Sequence, residues 1–277
     1  MLDQHSPFIF IYLGGGEQIM PKFSANLSML FNEVEFLDRF ERAAQAGFNA
    51  VEYMFPYEWP KEQLADALQA HQLEQVLFNL PAGDWAGGER GIACIPGREG
   101  EFRDGVASAL EYAEALQCPT INCLAGLTPE ETDLDQVRQT MVNNLQFAAE
   151  ALDKKGIRFV IEMLSHKAVP GFILVRTQEA LRLIEAVNHP NIRLQYDIYH
   201  MQIMEGNLID TLSTHMARIG HIQIADNPGR HEPGTGEINY PNVFAAIDKA
   251  GYDGWIGCEY APAGTTEEGL GWMAPYR

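Results

Sequence analysis

The sequence predicts one α/β domain, a single (β/α)8 TIM barrel. Short apolar runs alternate with helix-period segments along the whole chain, the pattern of repeated βα units around a parallel sheet. Eight such runs are present, and the length of 277 residues suits one barrel, which needs about 250. A doubly wound sheet shares the alternation, but it normally carries a glycine-rich phosphate turn after its first strand, and Asn26-Leu27-Ser28-Met29 offers none.

In order, the expected strands are Phe23–Ser28, Ala50–Phe55, Gln75–Leu80, Thr120–Ala125, Arg158–Leu164, Arg193–His200, His221–Asp226 and Trp255–Tyr260. Helical patterns between them include Glu33–Ala46 stopped by Gly47, Arg98–Leu116 stopped before Cys118-Pro119, and Asp133–Lys155 stopped by Gly156. The connection Pro81–Gly97, rich in Gly and Pro, exceeds the other loops and is the expected flap over a site. Residues 1–19 read as a leader outside the fold, with Met20-Pro21-Lys22-Phe23 as the natural start of a barrel spanning 20–277. The leader has an acid, Asp3, where a secretory signal carries positive charge. Its Gly14-Gly15-Gly16-Glu17-Gln18 is what a translated purine-rich ribosome-binding stretch would encode, so a misassigned start is expected.

Bulk composition excludes several classes. A formal charge of −19 opposes binding to a polyanion, which relies on clustered Lys and Arg, so no nucleic acid is expected. The apolar run Phe8–Leu13 is far short of the roughly 20 residues of a membrane span. Four cysteines (Cys94, Cys118, Cys123, Cys258) lack CxxC spacing and read as reduced thiols of a cytoplasmic protein. The expected partner is a small substrate, and a homo-oligomer is compatible with the chain.

Strands of a parallel barrel are covered on both faces and should be almost wholly apolar. The last four break that rule: Glu162, Asp197, Gln223 and Glu259 recur near their C-terminal ends. Period-two parity puts Gln195 on the face of Asp197, and His221 on the face of Gln223, with Leu194, Tyr196, Ile198, Ile222 and Ile224 opposite. The polar face reads as the barrel interior. A lone carboxylate at a strand end is ordinarily a loop-edge residue, and a lone buried glutamine ordinarily satisfies backbone groups. Four on adjacent strands would instead meet at the C-terminal rim, where barrel enzymes place their chemistry. Three crowded carboxylates call for a divalent cation. Four oxygen donors favour Mg2+, with Mn2+ next, over zinc.

His200 lies three residues beyond Asp197 and could bond a substrate oxygen, although a lone histidine is ordinarily structural. Arg230, in the Gly- and Pro-containing loop after strand seven, could grip a substrate carboxylate with two donors. Gly234-Thr235-Gly236-Glu237 reads as a tight turn, with Glu237 as a charge at a helix N-terminus. Glu52, Asn79 and Asn122 read as packing or hydrogen-bonding residues.

The stretches Ile161-Glu162, Gln195-Tyr196-Asp197-Ile198-Tyr199-His200, His221-Ile222-Gln223-Ile224-Ala225, Gly229 to Tyr240 and Trp255-Ile256-Gly257-Cys258-Glu259-Tyr260 resemble the hydroxypyruvate isomerase family, within the xylose isomerase-like barrel superfamily. The resemblance runs from Met20 to the C-terminus. It implies a metal held by Glu162, Asp197, Gln223 and Glu259, with Glu162 and Glu259 as the acid–base pair. The implied reaction on a small hydroxy-oxo acid interconverts hydroxypyruvate and tartronate semialdehyde through an enediolate. Related sugar epimerases carry histidine where Gln223 stands. A 2-oxo-tetronate isomerase and a ketose 3-epimerase are close rivals, and a hydride shift is the rival mechanism. A non-catalytic sugar-acid-binding barrel is the rival from another class. An abasic-site endonuclease of this superfamily needs a trinuclear zinc centre with early histidines; before His166 only His5 and His71 occur.

Overall fold

The structure is a computed structural model describing residues 21–129 and 133–277. The expectation for residues 1–19 lies outside the described residues. Eight parallel strands close into one barrel in chain order: β1 Lys22–Asn26, β2 Ala50–Glu52, β3 Glu74–Asn79, β4 Thr120–Cys123, β5 Arg158–Glu162, β6 Ile192–Asp197, β7 Ile219–Ile224 and β8 Trp255–Cys258, with β8 pairing back to β1. The helices are α1 Arg39–Gln45, α2 Lys61–His71, α3 Glu99–Leu116, α4 Leu134–Asp153, α5 Thr177–Val187, α6 Ile198–Met204, α7 Leu208–His215, α8 Tyr240–Lys249 and α9 Thr266–Gly269. None among the described residues is long and apolar enough to cross a membrane.

Local chemistry sets the ends of these elements. In α5 the buried residues Thr177, Ala180, Leu181, Ile184 and Val187 recur at helical spacing, so one stripe faces the sheet. Asn188 then adopts a left-handed conformation (φ 52°) and closes the helix. Gly156, with φ of 70°, follows α4 in the same role.

Strand six was expected to reach His200 but ends at Asp197. The Asp197 carboxylate accepts the backbone N–H groups of Tyr199 at 2.7 Å and His200 at 3.3 Å, so a helix starts there. His200 therefore sits in the first turn of α6. The expected helix from Glu33 begins as a 3-10 turn, Phe36–Asp38, before α1. The expected flap is largely docked: Gly91 N–H donates to Ala82 and Cys94 N–H to Ala125. Around its tip, the half-exposed Trp85 carries Arg90 over its ring at 4.0 Å. Glu237 does not serve α8, whose N-cap is Asn239. Its carboxylate instead accepts from Asn227 Nδ2 at 2.7 Å and Gln202 Nε2 at 3.1 Å, tying the β7–α8 loop to α6.

Most buried apolar residues form one layer between strands and helices, while Ala50, Val76, Leu77 and Val160 pack separately with Trp255. Arg158, Val160 and Glu162 alternate with Phe159 and Ile161, so the face bearing Glu162 is shared with this smaller cluster. Registry brings the rim residues together. Leu194 pairs with Ile219 but Gln195 pairs with His221, leaving Gly220 as an extra residue. Beyond that bulge Asp197 lies opposite Gln223. A Cβ at Gly220 would stand 2.7 Å from Val160 Cγ1, so this position needs glycine.

Candidate active site

Each polar residue singled out from the last four strands is buried at the C-terminal end of the barrel. Glu162 is the last residue of β5, Asp197 the last of β6, Gln223 lies in β7, and Glu259 directly follows β8. Donor atoms of Glu162, Asp197 and His200 all lie within 4.8 Å of one another. Gln223 and Glu259 stand on the neighbouring strands with their side chains engaged. Gln223 Oε1 accepts from Gln195 Nε2 at 2.6 Å, and Gln223 Nε2 donates to Glu52 at 2.7 Å. Glu259 accepts from Arg230 Nη2 at 2.7 Å and from Asn26 Nδ2 at 3.4 Å.

The electrostatics follow from burial and crowding. Burial first, then Glu259 and Asp197, push the Glu162 carboxyl well above its ordinary range. Burial also raises Glu259; Arg230 opposes that shift, and Asp197 and Glu52 reinforce it. Burial pushes His200 down to about 4, so its imidazole is neutral near pH 7. His200 Nδ1 accepts from the Ser165 backbone N–H at 3.3 Å. That bond assigns the proton to Nε2, which lies 3.6 Å from Asp197 Oδ2.

Arg230 was expected to meet a substrate carboxylate. Its Nη2 lies between Glu259 Oε2 (2.7 Å) and Asp197 Oδ2 (3.6 Å), with the guanidinium 5.3 Å from the Tyr199 ring centre. The loop that carries it is built around Asp226, whose carboxylate accepts the backbone N–H groups of Asn227, Gly234 and Ile238. Arg230 itself has a left-handed backbone, φ 58°, fastened by its N–H to Asp226 and its carbonyl to Ala261.

A divalent cation suits this donor set. Asp197 Oδ2 is buried with no hydrogen-bond partner, and so are Asn122 Oδ1, Gln195 Oε1 and Arg230 Nε. Arg230 Nη2 stands 3.6 Å from the Asp197 oxygen but is a single charge among three buried carboxylates, Glu162, Asp197 and Glu259, and a divalent cation would balance the other two.

Three residues treated as packing by the sequence reading belong to the same network. Asn122 Nδ2 donates to Glu162 at 3.2 Å and to Asn79 Oδ1 at 3.0 Å. Glu52 accepts from Ser24, Asn26, His221 and Gln223. All three occupy or adjoin the C-terminal ends of β2, β3 and β4. The rule that exposed the last four strands would have found them.

An eight-stranded barrel with convergent rim carboxylates defines a class of barrel enzymes. The chain matches the family model described as xylose isomerase-like TIM barrel over residues 40–276, and it belongs to that family. It is 57% identical to the hydroxypyruvate isomerase of Escherichia coli K12 over 258 residues, 93% of this chain and all of that one. It is 49% identical to the 2-oxo-tetronate isomerase of Pectobacterium atrosepticum, over 93% of this chain and 98% of the relative. Among solved structures it superposes with TM-score 0.91 on a Brucella melitensis protein described as AP endonuclease, family 2, at 49% identity, covering 93% of this chain and all of that one. The curated relatives are isomerases by name, and the chain stands with them.

Proposed function

We propose that this isomerase interconverts hydroxypyruvate and tartronate semialdehyde by proton transfer through an enediolate. One observation carries the reading: Glu162 and Glu259 are both buried at the barrel rim, on either side of Asp197 and Gln223 in strand order. Such carboxyls can take and return a proton near neutral pH. The identity to the Escherichia coli hydroxypyruvate isomerase supports the choice of substrate.

Chemically, one glutamate removes a proton from C3 of hydroxypyruvate, giving an enediolate, and the pair returns a proton to C2. The hydroxyl proton on O3 passes to O2, so the product is an isomer with no change in composition. Glu162, Asp197, Gln223 and Glu259 are the proposed holders of a divalent metal, Mg2+ or Mn2+. When bound, that ion supplies Lewis-acid stabilisation of the developing oxyanion. His200, neutral and protonated on Nε2, donates to a substrate oxygen. Arg230 receives the substrate carboxylate, for which its buried and unpartnered Nε is a ready donor. Asn122 orients Glu162.

The 49% identity to a 2-oxo-tetronate isomerase favours, as second reading, the same chemistry on a four-carbon acid. The endonuclease description of the Brucella protein does not carry over as readily. The residues at the ends of β2 and β3 are Glu52 and Asn79 rather than histidines, and the net charge of −19 opposes nucleic acid. The test is to strip the protein with chelator, restore Mg2+ or Mn2+ separately, and follow hydroxypyruvate, 2-oxo-tetronate and free ketoses by NMR in deuterated water. Metal-restored conversion of hydroxypyruvate with deuterium entering carbon is expected. Turnover without any deuterium would replace proton transfer by a hydride shift. Failure to convert hydroxypyruvate would overturn the substrate assignment.

A further inference from the structure

Glu52 ends β2 with no exposed surface, yet the partners of its carboxylate lie on β1 and β7. It accepts from Ser24 Oγ at 3.0 Å and Asn26 Nδ2 at 3.2 Å on β1, and from His221 Nε2 at 2.8 Å and Gln223 Nε2 at 2.7 Å on β7. Four donors match the roughly four acceptor sites of a carboxylate. Between β1 and β7 runs β8, and its Gly257 leaves the passage open. A Cβ there would stand 2.3 Å from Glu52 Oε1 and 2.4 Å from Oε2. Five positions on three strands thus serve one buried acceptor. A buried ionic cluster is a poor device for stability, since well-packed apolar residues of similar volume often do as well or better. What distinguishes this cluster is where its donors lead. Gln223 is a proposed metal holder, and Asn26 Nδ2 also reaches Glu259 Oε1 at 3.4 Å.

An amide can present either end to a metal, and only the oxygen is a ligand. Glu52 binds the Nε2 end of Gln223, which turns Oε1 toward β6, the strand of Gln195 and Asp197. Gln195 uses one lone pair of that oxygen and leaves the second. The same carboxylate keeps Asn26 beside Glu259.

We infer that Glu52 is a positioning residue of the active site: it fixes the amide orientation of Gln223 and the placement of Asn26 against Glu259, so that the oxygen donors are set before metal and substrate arrive. The inference rests on the reading of Gln223 as a metal holder, and the test separates the two. Mn2+ is titrated into metal-free protein without substrate, and free Mn2+ is read by EPR for wild type, Glu52→Gln, Gln223→Ala and the double variant. Glu52→Gln keeps the side-chain shape but replaces one of the two accepting oxygens by an NH2 donor, leaving a single oxygen for the four groups that now donate to the carboxylate. It is expected to weaken Mn2+ binding about 10- to 100-fold, the range for residues that orient metal ligands. The double variant is expected to lose clearly less than the product of the two single losses, because the part carried through Gln223 is lost only once, a non-additivity that general loosening of the barrel would not produce. If Glu52→Gln does not fold, Gly257→Ala presses on the same carboxylate from β8 and is expected to show the same loss. Wild-type affinity in Glu52→Gln with weakened binding in Gln223→Ala overturns the positioning role and leaves the ligand reading intact. Wild-type affinity in Gln223→Ala overturns the ligand reading and the positioning role with it.

Discussion

Replacing Arg230 by lysine keeps a positive charge beside Glu259 but removes the planar fork that receives a carboxylate with two parallel bonds. Arg230 Nη2 is 2.7 Å from Glu259 Oε2 and 3.6 Å from Asp197 Oδ2, while Nε is buried without a partner. On the proposed reading, substrate is received by donors that the acids leave free. Lysine, a single ammonium already drawn to Glu259, loses at least one charge-assisted bond to substrate. A bond of that kind contributes about 1.5–3 kcal/mol, which corresponds to a roughly 10- to 100-fold rise in KM at about 1.4 kcal/mol per factor of ten. Turnover should fall by no more than about fivefold, because the charge that holds Glu259 persists and an interaction made equally in ground and transition state appears in KM. The assay is steady-state isomerisation of hydroxypyruvate by the metal-restored protein, followed by NMR. A KM within twofold of wild type would remove Arg230 from the substrate site. A collapse of kcat at unchanged KM would recast it as a partner of Glu259 alone.

Glu162→Gln and Glu259→Gln should each lower kcat by about 100- to 10,000-fold, the usual worth of a positioned acid or base; a non-catalytic binding barrel would keep its function in both, which ligand titration beside the kinetic assay would reveal. Burial pushes the Cys94 and Cys118 thiols up to about 12, so at pH 8 only about one molecule in ten thousand carries either thiolate. Native protein should resist a disulfide reagent at pH 8 and release all four thiols in denaturant; rapid native labelling of Cys94 or Cys118 would contradict their burial. Gly220→Ala places a Cβ 2.7 Å from Val160 Cγ1 and 2.9 Å from Arg158 Cδ. Such overpacking costs about 1–3 kcal/mol, a fall of roughly 2–10 °C in melting midpoint for a domain of this size, and an unchanged midpoint would show that the bulge relaxes freely.

The eight strands and their order were legible from alternation alone, because a parallel barrel buries both faces of each strand and the apolar runs report it. The same rule flagged Glu162, Asp197, Gln223 and Glu259, since a charge in such a run demands a reason. Glu52, Asn79 and Asn122 break it at the matching ends of three earlier neighbouring strands; each taken singly has an ordinary packing explanation, and only their adjacency marks them as a set. Nothing local says that Glu52 meets His221, 169 positions away, or that Gly257 is small to let it pass.

Composition and period determined the architecture, the acidic character and the presence of a polar rim, because these depend on near-neighbour spacing along the chain. Closure of the barrel decided the rest. The Gly220 bulge that pairs Asp197 with Gln223, the capping bond that turns His200 into α6, and the loop that lays Arg230 on Glu259 all join distant residues or depend on backbone geometry. Directed bonds of about 3 Å are set by three-dimensional registry, and a one-dimensional pattern of polarity holds no information about them.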